Sequence, residues 1–136
     1  MIIARYFDLQ KQYEEEYGKK TVVLYQIGVF YEIYEYDPAN CESEKDKIDI
    51  YGNIHDEHIG HVVYLSDMFN IRMFLKDKRK SYSFNNCMTA GFPCVVSEKY
   101  IIGLTQNKYT VIIVDRIRNE NNDFEEIINI RRELGG

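Results

Sequence analysis

The apolar positions of the chain fall into two periods. Ile2, Tyr6, Leu9, Tyr13 and Tyr17 recur at steps of four and three, the stripe of an amphipathic helix, and Gly18 follows as its stop. Residues 21–27 (Thr-Val-Val-Leu-Tyr-Gln-Ile) are β-branched and aromatic, which predicts a strand. A second β-rich run covers 29–36, and the single Gly28 between them predicts a bent or bulged strand or a tight turn. Residues 40–58 turn polar and charged, as a surface insertion does. Ile59, Val62, Leu65 and Phe69 restore a helical stripe closed by Asn70. Alternation over 71–76 then predicts a strand, ending in a basic turn from Lys76 to Lys80. Ser97 is placed to cap a helix running to about Asn107, with Ile101 and Leu104 facing inward. The continuous apolar run from Tyr109 to Val114 predicts a buried central strand. Residues 118–125 read as a loop, and 126–133 fit a short strand or a helix equally well. The order α-β-β-α-β-α-β predicts one α/β domain over residues 1–136, a mixed β-sheet flanked by helices.

Composition narrows the function classes. With 17 basic and 22 acidic residues the net charge is −5, which argues against coating nucleic acid by bulk electrostatics but leaves room for a local site. Mean hydropathy is −0.42 and no apolar run approaches the roughly 20 residues of a membrane span. The first residues lack signal-peptide architecture. Cys41, Cys87 and Cys94 form an odd set with no C-x-x-C spacing. They predict reduced thiols in an intracellular compartment, with nuclear, mitochondrial and viral settings all open.

The most specific string is Gly28-Val29-Phe30-Tyr31-Glu32-Ile33-Tyr34. It resembles the G-x-F-Y-E motif in the N-terminal domain of the MutS mismatch-recognition family. Asp37 stands where the eukaryotic branch that retains the Phe carries an Asp. Met88-Thr89-Ala90-Gly91-Phe92-Pro93 resembles the family's second block, and the helix with Tyr100, Ile101 and Leu104 and the strand Tyr109–Val114 follow in family order. The resemblance covers roughly residues 3–135. Three departures stand out. The stretch between Glu32 and Met88 is longer than bacterial members show. Val114-Asp115-Arg116 replaces a usual Val-Glu-Gln. A Pro expected near the terminal Leu134-Gly135-Gly136 is absent.

The resemblance implies a MutS N-terminal-like fold and a DNA-binding role without enzymatic activity in this chain. The expected partner is double-stranded DNA with mismatches or bulges, together with remaining MutS domains or a dimer partner. Phe30 would stack on the mispaired base and Glu32 would hydrogen-bond it. On a strand these two residues and Tyr34 share a face, with Tyr31 on the other. An aromatic wedge kinks duplex DNA from the minor groove at a cost of a few kcal/mol, and the cost falls at a defect that has already lost stacking. Lys76, Lys78, Arg79 and Lys80 are candidate phosphate contacts, or else a solvated turn.

Other signals carry less. His55, His58 and His61 show H-x-x-H-x-x-H spacing, but the third drifts off a helical face, so a zinc site is not expected. Asp115, Glu125 and Glu126 are the acids available to a small metal-dependent nuclease, at a spacing that matches no known arrangement. No G-x-x-x-x-G-K-[ST] string occurs, so a P-loop ATPase would have to lie elsewhere, and no cofactor is expected. The chain is then either a fragment of a longer protein or a free-standing relative. A non-catalytic structural or protein-interaction module on the same fold is the alternative reading.

Overall fold

A computed structural model describes residues 2–133; the departure noted at Leu134-Gly135-Gly136 lies outside them. The architecture is a mixed α/β sheet with helices on both faces. The elements are α1 (Ile2–Tyr17), β1 (Thr21–Ile27), β2 (Phe30–Tyr36), β3 (Ile59–Gly60), α2 (Val62–Phe69), β4 (Phe74–Leu75), β5 (Met88–Pro93), α3 (Ser97–Gln106), β6 (Thr110–Arg118) and β7 (Phe124–Arg131). The seven-stranded sheet has the order β4-β5-β2-β1-β6-β7, with β3 beside β2. β1 and β6 are parallel and the other pairs are antiparallel.

β1 and β2 form a tight hairpin in which Ile27 faces Phe30. Gly28 takes φ +62 and Val29 stays out of the left-handed region, the pattern of a turn with Gly at its first position. The tight-turn alternative therefore holds. Pairing stops at Tyr25 and Glu32, and the far end of β2 turns to β3 instead, with Glu35 facing Gly60. The part of the β1 edge left unpaired by β2 is satisfied from α1. The Gln10 amide donates to Thr21 O (2.6 Å) and accepts from Val23 N–H (3.0 Å), and Tyr6 Oη donates to Val23 O (2.7 Å). Gln10 is fully buried because its amide stands in for a neighbouring strand.

Side chains alternate along β2. Tyr34 and Tyr36 face α1, where Tyr6 meets Tyr34 and Phe84 bridges Tyr36 to Phe7. Tyr31 and Ile33 face α2 and α3, where Tyr31, Phe92, Tyr100 and Phe69 form a chain of aromatic contacts. Tyr31 is buried, as expected for the face opposite Phe30.

Several elements differ from the sequence pattern. Ile59 belongs to a two-residue strand and α2 starts only at Val62, although Asn70 does close the helix with φ +54. The strand expected over 71–76 shrinks to Phe74–Leu75, the two residues that pair with Thr89 and Met88 on β5, and the alternating side chains Met73 and Phe74 are both exposed. Ser97 is the first residue of α3 and makes no capping hydrogen bond. The second motif block is itself a strand, β5, paired to β2 from Phe30↔Pro93 to Glu35↔Met88. The ambiguous 126–133 segment is strand: β7 starts at Phe124 and runs antiparallel to a β6 that extends to Arg118.

The polar segment before β3 is anchored through Asp49, which is buried. Its carboxylate accepts from Tyr51 N–H (2.8 Å) and Asn53 N–H (3.0 Å) and pairs with His55 Nε2 (2.8 Å), while the His55 ring stacks on Phe84 at 3.7 Å. The hydrogen bond to His55, helped by the two amides, holds the Asp49 carboxyl down to about 2. A depressed carboxylate stabilises the fold fully above its unfolded value of about 3.9, and that contribution is lost as pH falls toward 2. Asp49→Asn is therefore expected to lower the urea midpoint at pH 6 and to converge on wild type near pH 2. A gap independent of pH would contradict the assignment.

Candidate nucleic-acid interface

Phe30 opens β2 directly after the hairpin turn and is 45% exposed, so it is not a core residue. The turn beneath it is held from both sides. Cys94 N–H donates to Val29 O (2.8 Å) from the β5 side. Gln26 Nε2 donates to Gly28 O (3.1 Å), and Gln26 Oε1 accepts from Arg116 N–H (2.8 Å) on β6. The ring is thus presented on a braced turn, which limits the ordering cost of an insertion.

Glu32 lies two residues on, on the same face and half-buried. Its Oε1 accepts from Tyr34 Oη at 2.6 Å, and Lys76 Nζ donates to Tyr34 Oη at 3.3 Å while standing 5.3 Å from the ring centre. Burial first, and then the Glu32 hydrogen bond, push the Tyr34 phenol far up, so it stays protonated and donates to the carboxylate. Among the described residues Glu32 Oε2 has no hydrogen-bond partner. On the neighbouring strand Gly91 faces Glu32. A Cβ there would stand 2.6 Å from Tyr31 O and 3.5 Å from Glu32 Cγ, so only glycine lets β5 close against this part of β2.

The structure joins Lys76 to this relay and leaves the rest of the basic turn further out. Asn86, almost fully buried, shapes that turn. Its Oδ1 accepts from Asp77 N–H (2.8 Å), and its Nδ2 donates to the carbonyls of Asp77, Lys80 and Ser81. Arg79 pairs with Asp77 (3.2 Å), which holds that carboxyl below the usual range. Lys78 and Lys80 extend into solvent. An open groove of about 730 Å³ runs beside them, lined by Arg72, Phe74, Lys76, Lys78 and Arg79.

The three histidines go separate ways. His55 pairs with Asp49, His58 with Glu35, and His61 Nε2 is buried without a partner among the described residues. Glu35 also accepts from Val63 N–H (2.7 Å) and so caps α2, a role hidden in the sequence because its partners lie 23 and 28 residues away. The acids considered for a nuclease are split. Asp115 accepts from Tyr31 Oη, whereas Glu126 projects from the other face of the sheet to Arg5 and Tyr25. Among the described residues no group of three or more His, Cys, Asp or Glu side chains is placed to hold a metal ion, and no helix is long and apolar enough to cross a membrane. All three cysteines are free thiols, with Cys87 buried and its thiol pushed up to about 12 by burial.

No family profile matches the chain. The chain is similar to a protein of Acanthamoeba polyphaga mimivirus described as a DNA mismatch repair protein, a mutS homologue. The two are 27% identical over 117 residues, which cover 85% of this chain and 9% of that protein. The matched region thus spans about a tenth of the length of that relative.

Proposed function

We propose that the chain is a non-enzymatic DNA-binding module, with a MutS N-terminal-like fold, that inserts Phe30 at mispaired or bulged base steps. The observation that carries this reading is the exposed Phe30 on its braced turn, two residues from a Glu32 whose free oxygen shares its face. The distant similarity to the viral mutS homologue supports it. Phe30 stacks on the defective base, Glu32 Oε2 meets a base donor, and the Tyr34–Lys76 relay orients the carboxylate. The Lys76–Lys80 turn contacts phosphates further along the duplex. Any ATP-driven step resides on other domains or chains.

Fluorescence anisotropy with matched, G·T-mismatched and single-base-bulge duplexes tests this reading. Tighter binding to the defective duplexes is expected. Equal, weak binding to all three that disappears with salt would reduce the interaction to phosphate contacts and overturn it. In the same assay the pair Lys78→Gln and Arg79→Gln is expected to weaken all duplexes alike and to flatten the salt dependence by up to about 1.8 in log–log slope. A change in the ratio between defective and matched duplexes would contradict that assignment.

A second reading, a protein-docking module on the same fold, is favoured by the exposed Val29 and Val95 next to Phe30. It predicts no binding to any of the three duplexes.

A further inference from the structure

Of the basic turn only Lys76 reaches back toward Phe30, through its contact with Tyr34, and the backbone of the turn lies far along the sheet. Lys76 N–H donates to Cys87 O, one residue beyond the Met88–Glu35 pair, so the turn leaves the sheet level with Tyr36. That is about 20 Å along β2 from Phe30. The end of the sheet that carries Phe30 also carries the end of β6. Phe30 faces Ile27, and Tyr25, two residues back on β1, lies beside Val114. Continued two residues past the Tyr25–Val114 pair, this register puts Arg116 on the face of Ile27 and Phe30, two strand spacings or roughly 10 Å from Phe30. Arg118 follows on that face, opposite Phe124.

Both guanidinium groups lie against one ring. Arg116 is 4.1 Å and Arg118 4.2 Å from the centre of Phe124, and Arg116 is also 5.7 Å from that of Tyr25. Phe124 is itself 51% exposed. In a chain with 22 acidic residues, neither arginine makes an ion pair among the described residues. Glu126, the acid on this face, is already held by Arg5 (2.6 Å) and Tyr25 Oη (2.6 Å). Glu125 projects from the opposite face and accepts from Asn119 Nδ2, and Glu120 and Asp123 ride in the hairpin turn. Arg118 donates one N–H to Asn122 O (2.7 Å) and keeps the rest of its fork free.

Arginine stacked on an aromatic face retains its charge and its in-plane N–H donors, the geometry that matches a phosphate. The stacking also fixes two long side chains before a ligand arrives. An inserted aromatic holds a bent duplex only if the backbone beside the insertion is gripped, and a minor groove about 6 Å wide puts the flanking phosphates within such a reach. Resting on the wedge reading above, we propose that Arg116 and Arg118, pre-set on Phe124, clamp the DNA phosphates flanking the Phe30 insertion. Arg116 is also where the chain departs from the usual Val-Glu-Gln, so the departure adds a cation at this point.

The test uses the full chain, with matched and single-base-bulge duplexes titrated between about 50 and 200 mM salt. The double variant R116Q/R118Q is expected to bind both duplexes more weakly, to lose about 1.8 from the salt slope, and to keep the wild-type ratio between them. R116K/R118K, which retains charge without the planar fork, is expected to regain the slope. Phe30→Ala is expected to do the reverse, changing the ratio and sparing the slope. A wild-type salt slope in R116Q/R118Q overturns the clamp while leaving the wedge standing. Absence of any duplex binding by wild type overturns both.

Discussion

Replacing Phe30 with Ala is expected to abolish the preference for defective duplex while moving the thermal midpoint by no more than a few degrees. The two halves of this expectation have separate causes. Phe30 is 45% exposed at the first position of β2, so truncation removes only about half the burial of a core Phe and costs about 1–1.5 kcal/mol. A fully buried aromatic such as Phe7 or Phe84 would cost about 3–5 kcal/mol on the same change. Stacking of a base on an aromatic ring contributes about 1–3 kcal/mol, which corresponds to roughly 5- to 150-fold in affinity at a defect and almost nothing at a matched step. Circular dichroism melting and paired anisotropy titrations separate the two effects. Loss of folding in Phe30→Ala would make Phe30 a structural residue and remove the wedge.

Gly91→Ala is expected to weaken the same preference by a different route, through the fold. The added Cβ would sit 2.6 Å from Tyr31 O, a backbone atom that cannot swing aside, so β5 must move off β2 opposite Glu32. Overpacking of this kind costs about 1–3 kcal/mol. The urea midpoint should fall, and the preference for defective duplex should fall with it, because Glu32 and the turn bearing Phe30 shift together. An unchanged midpoint would mean that the two strands accommodate a methyl group, and the glycine would then be irrelevant to Glu32.

These two positions also show what the sequence made legible. Periodicity located α1, β1, β2, α3 and the core of β6, because each buries one face or both and its apolar spacing records that. The F-Y-E string put Phe30 and Glu32 on one face, and alternation along β2 places them there. β5 escaped the pattern because Met-Thr-Ala-Gly-Phe-Pro has little strand propensity. It is strand because β2 pairs along its whole length, which is tertiary information. β7 was ambiguous for a different reason: it is an edge strand, mostly exposed, and Glu125, Glu126 and Asn129 dilute its apolar positions. Ile59 satisfied a helical stripe and a two-residue strand equally well, because a single buried side chain carries no period. The Glu32–Tyr34–Lys76 relay and the Arg116–Phe124–Arg118 stack were invisible for one reason. Their members meet only after β2, β4 and β5, or β6 and β7, have paired.

In the proposed binding mode an aromatic side chain enters the base stack at a defect. The most direct measurement places 2-aminopurine next to a G·T mismatch and follows its fluorescence as the chain binds, with matched duplex and Phe30→Ala alongside. Wild type is expected to brighten the probe at the mismatch by unstacking it and to leave the matched duplex dark, and Phe30→Ala is expected to lose the effect. Binding seen by anisotropy with no change in probe fluorescence, or an equal change in Phe30→Ala, would contradict insertion of Phe30.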